Sequence, residues 1–582
     1  MGAIRLLLFL LTGSSGLAEG LALPQAPLVN LGASSSQGAF KPWDTPPSND
    51  QSANLIFYRL ATLLQHWPNT RYPSGQSVVP GTVPIGTTLY HGRGGTQPPT
   101  TAEWLAFDPE HAVLFARGVD SRLFTYVTTR PLRVVYFDGS SAAKLSSGSA
   151  DTQHFLAWGA PGNDTIFENE RRIIGDLCKW GKGFGIDGYV RMEQDFEIMH
   201  CDFSENLELV SSLHVLPTEG GGPGGPGGPR RDPFDSKKSQ PFVLPSGTPS
   251  APPEVPPGTP HRPPRFPSEP RPPNWKGALP SGEQRNFEVF QAGSWHNRAP
   301  GEVRVRLDAA RLVTLYDPAL KTGIEIREGK EKVLHRGKGM SYGDIATWRG
   351  WVIDTLRNDK PATSGVDWPA LTTVIMDRYG SRLEYLLYLL DSDRILQNST
   401  AVIQDVRSQL MLMLVTDITT GNIPPLITPT ASAFPARSSQ IRRRETQNYT
   451  WVEPIAAHCA SFLVSHLPKD TMTREERTLY AAVSGTQAEI CRVLSLLWAE
   501  AYGPSPLIPA EVMARDWRQR VDGLMNWLDW PMWNRCNPEC DLDSMCFIPT
   551  WPMGIGRMPG GGEEDLSKVD WTPKCIPRGK HI

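Results

Sequence analysis

Between Pro217 and Pro280 the chain places 20 of its 54 prolines in 64 residues, with a Gly-Gly-Pro repeat over Gly221 to Pro229. A stretch of this composition cannot bury enough apolar surface to offset the entropy lost on ordering it. It predicts a disordered, partly polyproline-II spacer at 217–283. The alternative, a ligand for proline-reading domains, fits an exported chain poorly. The remainder of the 582 residues is too long for one hydrophobic core. The chain therefore divides into 1–18, a flexible leader at 19–52, a domain at 53–216, the spacer, and a second domain at 284–582.

The first segment reads as a secretory signal peptide. Arg5 precedes the apolar run Leu6 to Leu11, and small residues lead to Ala18. The run is shorter than the roughly 20 residues of a membrane-spanning helix, and Leu410 to Val415 is shorter still and reads as core helix. No membrane span is expected, and the predicted location is extracellular. Lys and Arg total 58 against 61 Asp and Glu, so no electrostatic footprint for nucleic acid exists. Eight cysteines, Cys178, Cys201, Cys459, Cys491, Cys536, Cys540, Cys546 and Cys575, form an even set that an export route would oxidise to disulfides. The unequal spacing of the last four suits a stapled tail better than a zinc knuckle. Asn163, Asn398 and Asn448 head acceptor sequons and are glycosylation candidates.

The N-terminal domain predicts an α+β fold. Ile56, Leu60, Leu63 and Trp67 recur at helical spacing. Strand-like runs follow at Thr87 to His91, Glu103 to Phe107, Leu123 to Thr128, Leu132 to Phe137, Gly188 to Met192 and Phe196 to Asp202. Helical stretches interrupt them at Pro109 to Ala116 and Thr165 to Gly181, in an order too irregular for a doubly wound parallel sheet. The C-terminal half opens with a short β-like piece, Val303 to Tyr316, and is then mainly α-helical. Ser341 with Asp344 and Thr473 with Glu476 mark helix starts, Gly503-Pro504 a stop, and Trp517, Val521, Leu524 and Leu528 a helix leading into the cysteine-rich tail. No catalytic motif stands out in this half, and its helically spaced tryptophans read as core.

The chemistry-bearing pattern lies before the spacer. One strand ends Leu89-Tyr90-His91-Gly92, a second, Trp104-Leu105-Ala106-Phe107, runs into a helix, and a late strand carries Asp195-Phe196-Glu197. In this order the motifs resemble the ADP-ribosyltransferase fold, a split sheet in which a Tyr-His-Gly strand opens the cleft, a second strand walls it, and an acidic-x-Glu strand closes it. The Ser-Thr-Ser strand of the arginine-modifying branch is replaced here by Trp104 to Phe107, and paired tyrosines of the diphtheria-like branch are not evident. The resemblance implies NAD as substrate, with ADP-ribose transferred to an extracellular or host protein or NAD hydrolysed. Separately, Asn54 to Thr70, Gly81 to Gly92, Arg130 to Lys144, Phe184 to Phe203, Gly365 to Leu390 and Trp527 to Pro552 resemble a group of large secreted proteins of filamentous fungi with no settled activity.

Within that resemblance the residue types make chemical sense. Cleavage of the nicotinamide–ribose bond passes through an oxocarbenium-like state that a fixed carboxylate stabilises, which is the role implied for Glu197. His91 would bond a ribose hydroxyl, and Gly92 would let backbone approach the nicotinamide amide. Tyr90, Trp104 or Phe107 would stack on the ring, and Asp195 would orient the acceptor. The plainer readings are a turn histidine at His91, a solvated strand residue at Glu197, core aromatics at Trp104 and Phe107, a surface histidine at His111, and a disulfide joining Cys178 to Cys201. The rival function class is a non-catalytic extracellular interaction protein on the same scaffold. A hydrolase of the Gly-x-Ser-x-Gly or His-Glu-x-x-His type lacks its motif.

Overall fold

A computed structural model of the chain describes residues 44–47, 52–66, 71–72, 75–118, 120–143, 149–162, 170–192, 194–215, 282–292, 301–327, 332–357, 363–419, 451–503, 508–548 and 570–577. The expected signal peptide, nearly all of the leader, almost the whole spacer, Asn163 and Asn448 lie outside them.

The fold class is the expected one: a sheet-rich α+β part followed by a mainly helical part. In the first, α1 (Ala53–Ala61) is followed by β1 (Ser77–Val83), β2 (Thr88–Arg93), β3 (Glu103–Ala106), α2 (Pro109–Val113), β4 (Arg122–Thr128) and β5 (Leu132–Phe137). Then come α3 (Asp151–Trp158), α4 (Glu170–Gly181), β6 (Gly188–Met192), β7 (Phe196–His200) and β8 (Leu207–His214). These strands form one sheet in the order β1-β5-β6-β7-β3-β2-β4-β8, antiparallel throughout except for the β5–β6 pair. That parallel pair needs a crossover, which α3 and α4 supply. The strands β5 and β6 fall where their apolar runs predict them.

The sequence leaves open whether the two halves touch, and they are built into one another. After α5 (Gly282–Ala292), β9 (Arg306–Leu307) and β10 (Val313–Thr314) both pair with β1, so the chain beyond the spacer completes the sheet edge. Conversely, α1 packs among helices from beyond the spacer. Phe57 stacks on Trp530 with ring centroids 5.9 Å apart. Asn54 Nδ2 donates to the Trp527 carbonyl at 2.6 Å, and Tyr72 Oη donates to Asp529 at 2.8 Å. The buried Arg59 lies 3.4 Å from Asp138 and donates to Tyr316 Oη at 3.4 Å. One apolar cluster runs from Leu55 and Phe57 through Leu383 and Leu497 to Trp517. Burying that surface is the dominant favourable term available to the fold.

Short antiparallel strand pairs, β11 (Glu325–Ile326) with β12 (His335–Arg336) and β13 (Ser544–Phe547) with β14 (Lys574–Pro577), flank the helical part. Its helices are α6 (Tyr342–Arg357), α7 (Trp368–Leu389), α8 (Ser392–Leu414), α9 (Glu453–Ser461), α10 (Arg474–Tyr502) and α11 (Ala510–Leu528). The capping box read from the sequence is present: Thr473 Oγ1 accepts from Glu476 N, and Glu476 accepts from Thr473 N. Glu476 also accepts from Ser364 N and Trp368 Nε1, so the cap anchors the entry of α7. Gly503 ends α10 as expected. Trp348, Trp368, Trp498, Trp517 and Trp530 are fully buried core residues. All eight cysteines are paired: Cys178–Cys201, Cys459–Cys491, Cys536–Cys546 and Cys540–Cys575. No helix among the described residues is long and apolar enough to cross a membrane.

Candidate functional site

The three motif-bearing strands are neighbours, in the order β7-β3-β2. Tyr90 opposes Ala106, and Ala106 opposes Glu197. Opposed residues in antiparallel strands share a face of the sheet, and successive residues alternate. Tyr90, Gly92, Trp104 and Glu197 therefore belong to one face and His91 to the other. The expectation that the His91 imidazole and the Glu197 carboxylate converge on one hollow is not met, because the residues fall one step out of phase across the sheet.

Glu197 is buried, and so is the group that holds it. Arg191, opposite Glu197 in the β6–β7 hairpin, donates from Nε to Oε1 at 2.8 Å. The same guanidinium donates to Gln153 Oε1 on α3 at 2.9 Å and pairs with Glu170 at the start of α4. Desolvation disfavours the charge on Arg191, but the two carboxylates outweigh it and hold its pKa above the usual arginine value. Arg191 thus ties β6, β7, α3 and α4 through one fully buried cation. No described residue engages the second Glu197 oxygen.

His91 belongs to a hydrophobic setting. Its Nδ1 donates to the Trp104 carbonyl at 2.8 Å, its ring meets Phe203 edge-on at 5.9 Å, and Nε2 is buried without a hydrogen-bond partner. Burial pushes its pKa below the usual histidine range, so the ring is neutral near pH 7. Gly92 is consumed by packing: a Cβ there would lie 1.8 Å from the Ala112 carbonyl of α2. The glycine lets α2 close on β2, and the approach expected of nicotinamide is taken by that helix.

The aromatic candidates have separate surroundings. Tyr90 packs beside the small cluster of Ala106, Ala112 and Leu123. Trp104 is half-buried beneath the Arg171 guanidinium, 5.6 Å from its ring centroid. Phe107 is fully buried, with the Arg304 guanidinium 5.2 Å over its ring. His111, expected on a helix surface, is buried instead.

Asp195 is also buried and lies against a group the motifs did not reveal. Its Oδ1 accepts from Phe196 N at 2.8 Å, and its negative charge acts on the carboxyl of Asp108 at the start of α2. Arg304, from beyond the spacer, donates to Asp108 Oδ2 at 2.8 Å, to the Phe107 carbonyl at 2.7 Å and to both oxygens of Glu302. Burial pushes Asp108 up to about 6; Arg304 opposes the shift and the Asp195 carboxyl adds to it. Asp108 is thus a half-buried carboxyl whose charge is disfavoured by burial and by Asp195 and favoured by Arg304.

Sequence reasoning missed Arg191, Gln153, Glu170, Asp108 and Arg304. A signal existed for the first: Arg191 is the one charge in the otherwise apolar run Gly188 to Met192, and a charge in a buried strand must find a counter-ion.

With this geometry in place, comparison adds the kind of chain it is similar to. A family model described as the YPL277C N-terminal domain matches residues 115–220. That stretch begins after β3 and contains Gln153, Glu170, Arg191, Glu197 and the Cys178–Cys201 disulfide. Two particular relatives are from Saccharomyces cerevisiae. The uncharacterized protein YOR389W is 25% identical over 580 residues, spanning 88% of this chain and 84% of its own. The uncharacterized protein YPL277C is 26% identical over 404 residues, spanning 60% of this chain and 78% of its own. No solved structure gives a significant match.

Proposed function

We propose that this chain is an exported, disulfide-stapled interaction protein on an ADP-ribosyltransferase-like scaffold, acting on an extracellular or host protein without NAD-cleaving chemistry at Glu197. The observation that carries this reading is the buried Arg191–Glu197 ion pair. An oxocarbenium-like state is stabilised by an uncompensated negative charge aimed at it. A carboxylate already bonded to a guanidinium offers little of that field. The neutral His91 on the opposite face and the α2 carbonyl against Gly92 point the same way. The apolar run after Arg5 and the four disulfides support export.

The rival reading, transfer of ADP-ribose from NAD or its hydrolysis, is favoured by the row Tyr90–Ala106–Glu197 across three adjacent strands. There the second Glu197 oxygen would face the ribose, Tyr90 and Trp104 would flank the ring, and Asp195 would orient the acceptor. Incubation of the secreted, folded protein with adenine-labelled NAD separates the two. We expect neither hydrolysis nor label transfer and no rise in melting temperature with NAD. Hydrolysis or transfer would overturn the interaction reading.

A further inference from the structure

We propose that Asn398 carries an N-linked oligosaccharide, and that this glycan shields an aromatic platform formed by Tyr385 and Tyr388. The inference rests on the export part of the reading above and on nothing concerning NAD.

Helix α8 is interrupted at Asn398, whose φ of −158° and ψ of 83° are extended rather than helical. Asn398 is therefore the N-cap of the second helical piece, and its Oδ1 accepts from Ala401 N at 3.0 Å. The backbone N–H can only donate, so the oxygen faces inward and Nδ2 is left over. Asn398 and Thr400 are both exposed, and among the described residues nothing bonds Asn398 Nδ2 or the Thr400 hydroxyl. The sequon Asn398-Ser399-Thr400 is thus presented with its nucleophilic nitrogen free while its oxygen holds the helix. Glycosylation uses the nitrogen and leaves the cap bond in place.

In the modification Nδ2 attacks C1 of the first sugar of a lipid-diphosphate-linked oligosaccharide. A C1–N bond forms, the C1–O bond to the carrier breaks, the lipid diphosphate leaves with the electron pair, and the Nδ2 proton passes to a base of the transferring enzyme.

The neighbourhood explains what the glycan would do. Tyr385 and Tyr388 stack at 6.1 Å with large exposed faces, 49% and 59%. Arg394, four residues before the acceptor, lies 5.1 Å over the Tyr388 ring, so the helical piece that leads to the acceptor packs beside the platform, within the span of an oligosaccharide. Exposed stacked rings are a liability in a secreted protein, and sugar C–H faces cover aromatic rings well.

The test is secretion of the full chain from a eukaryotic host, with recovery from the medium scoring export separately from glycosylation. Enzymatic deglycosylation in heavy-oxygen water converts an occupied asparagine to labelled aspartate. We expect that label in the tryptic peptide Ile395–Arg407, its loss in Asn398→Asp with the melting temperature kept, and increased hydrophobic-dye binding after deglycosylation. Recovery of that peptide wholly unmodified from secreted protein would overturn the proposal. Unchanged dye binding would overturn the shielding.

Discussion

Arg191 Nε lies 2.8 Å from Glu197 Oε1, and both side chains are buried. Removing one partner of a buried pair leaves the other charge uncompensated, at a cost of about 3–5 kcal/mol. Arg191→Met leaves Glu197 without its guanidinium and takes one partner from Glu170. We expect urea denaturation to show a loss in that range. A change below about 1 kcal/mol, the value of an exposed pair, would remove the structural role assigned here.

The carboxyl pair of Asp108 and Asp195 makes a signed pH prediction. Asp108 titrates at about 6 when folded and near 3.8 when unfolded, so between those values the native state binds the extra proton. Its contribution to stability is greatest at low pH and falls as pH rises through that window. Asp195, Arg304 and Glu302 face it. Burial pushes His154 down to about 4 and His335 to about 3, and these give the opposite slope over part of the same range. The clean measurement is the difference between wild type and Asp108→Asn. We expect wild type to lose stability relative to the variant from pH 4 to pH 6. A flat difference would show that the folded protein does not hold Asp108 above its ordinary value.

The two sides of the spacer should remain one body after the chain is cut. A protease site placed within residues 217–281 should be cleaved without release of either piece, because β9 and β10 pair with β1 and Phe57 stacks on Trp530. Gel filtration under native conditions reads this directly. Separation of two folded pieces would contradict the shared sheet and core.

Peptide mapping without reductant should recover Cys536 with Cys546 and Cys540 with Cys575, the connectivity the cysteine spacing left open. Replacing Cys178 and Cys201 together by serine should cost about 3 kcal/mol for a loop of 23 residues. A swapped tail pairing would contradict the pairing of β13 with β14, which sets Cys546 opposite Cys575.

How much was legible follows from how local each signal was. The runs Leu132 to Phe137 and Gly188 to Met192 fixed β5 and β6, because buried strands read as continuous apolar runs. Strand β1 escaped notice because Pro80 and Gly81 look like a turn. Its glycine is required by close approach instead: a Cβ at Gly81 would lie 2.7 Å from the Arg306 carbonyl. Strand β8 was missed for want of an apolar pattern, since most of its residues are exposed at the sheet edge. At the site, the strands carrying His91, Trp104 and Glu197 are neighbours in the sheet, but their relative phase depends on pairing register, which no single strand encodes. The partners of Asp195 and Phe107 come through Arg304, nearly 200 residues from Phe107 in sequence, and no local pattern announces such a contact.

The most direct test of the role given to Glu197 measures stability and NAD turnover in one preparation, for wild type and Glu197→Met. We expect no nicotinamide release from either protein and a stability loss of about 3 kcal/mol in the variant. Nicotinamide release by wild type that the variant abolishes at unchanged stability would contradict it, and would make Glu197 a catalytic carboxylate.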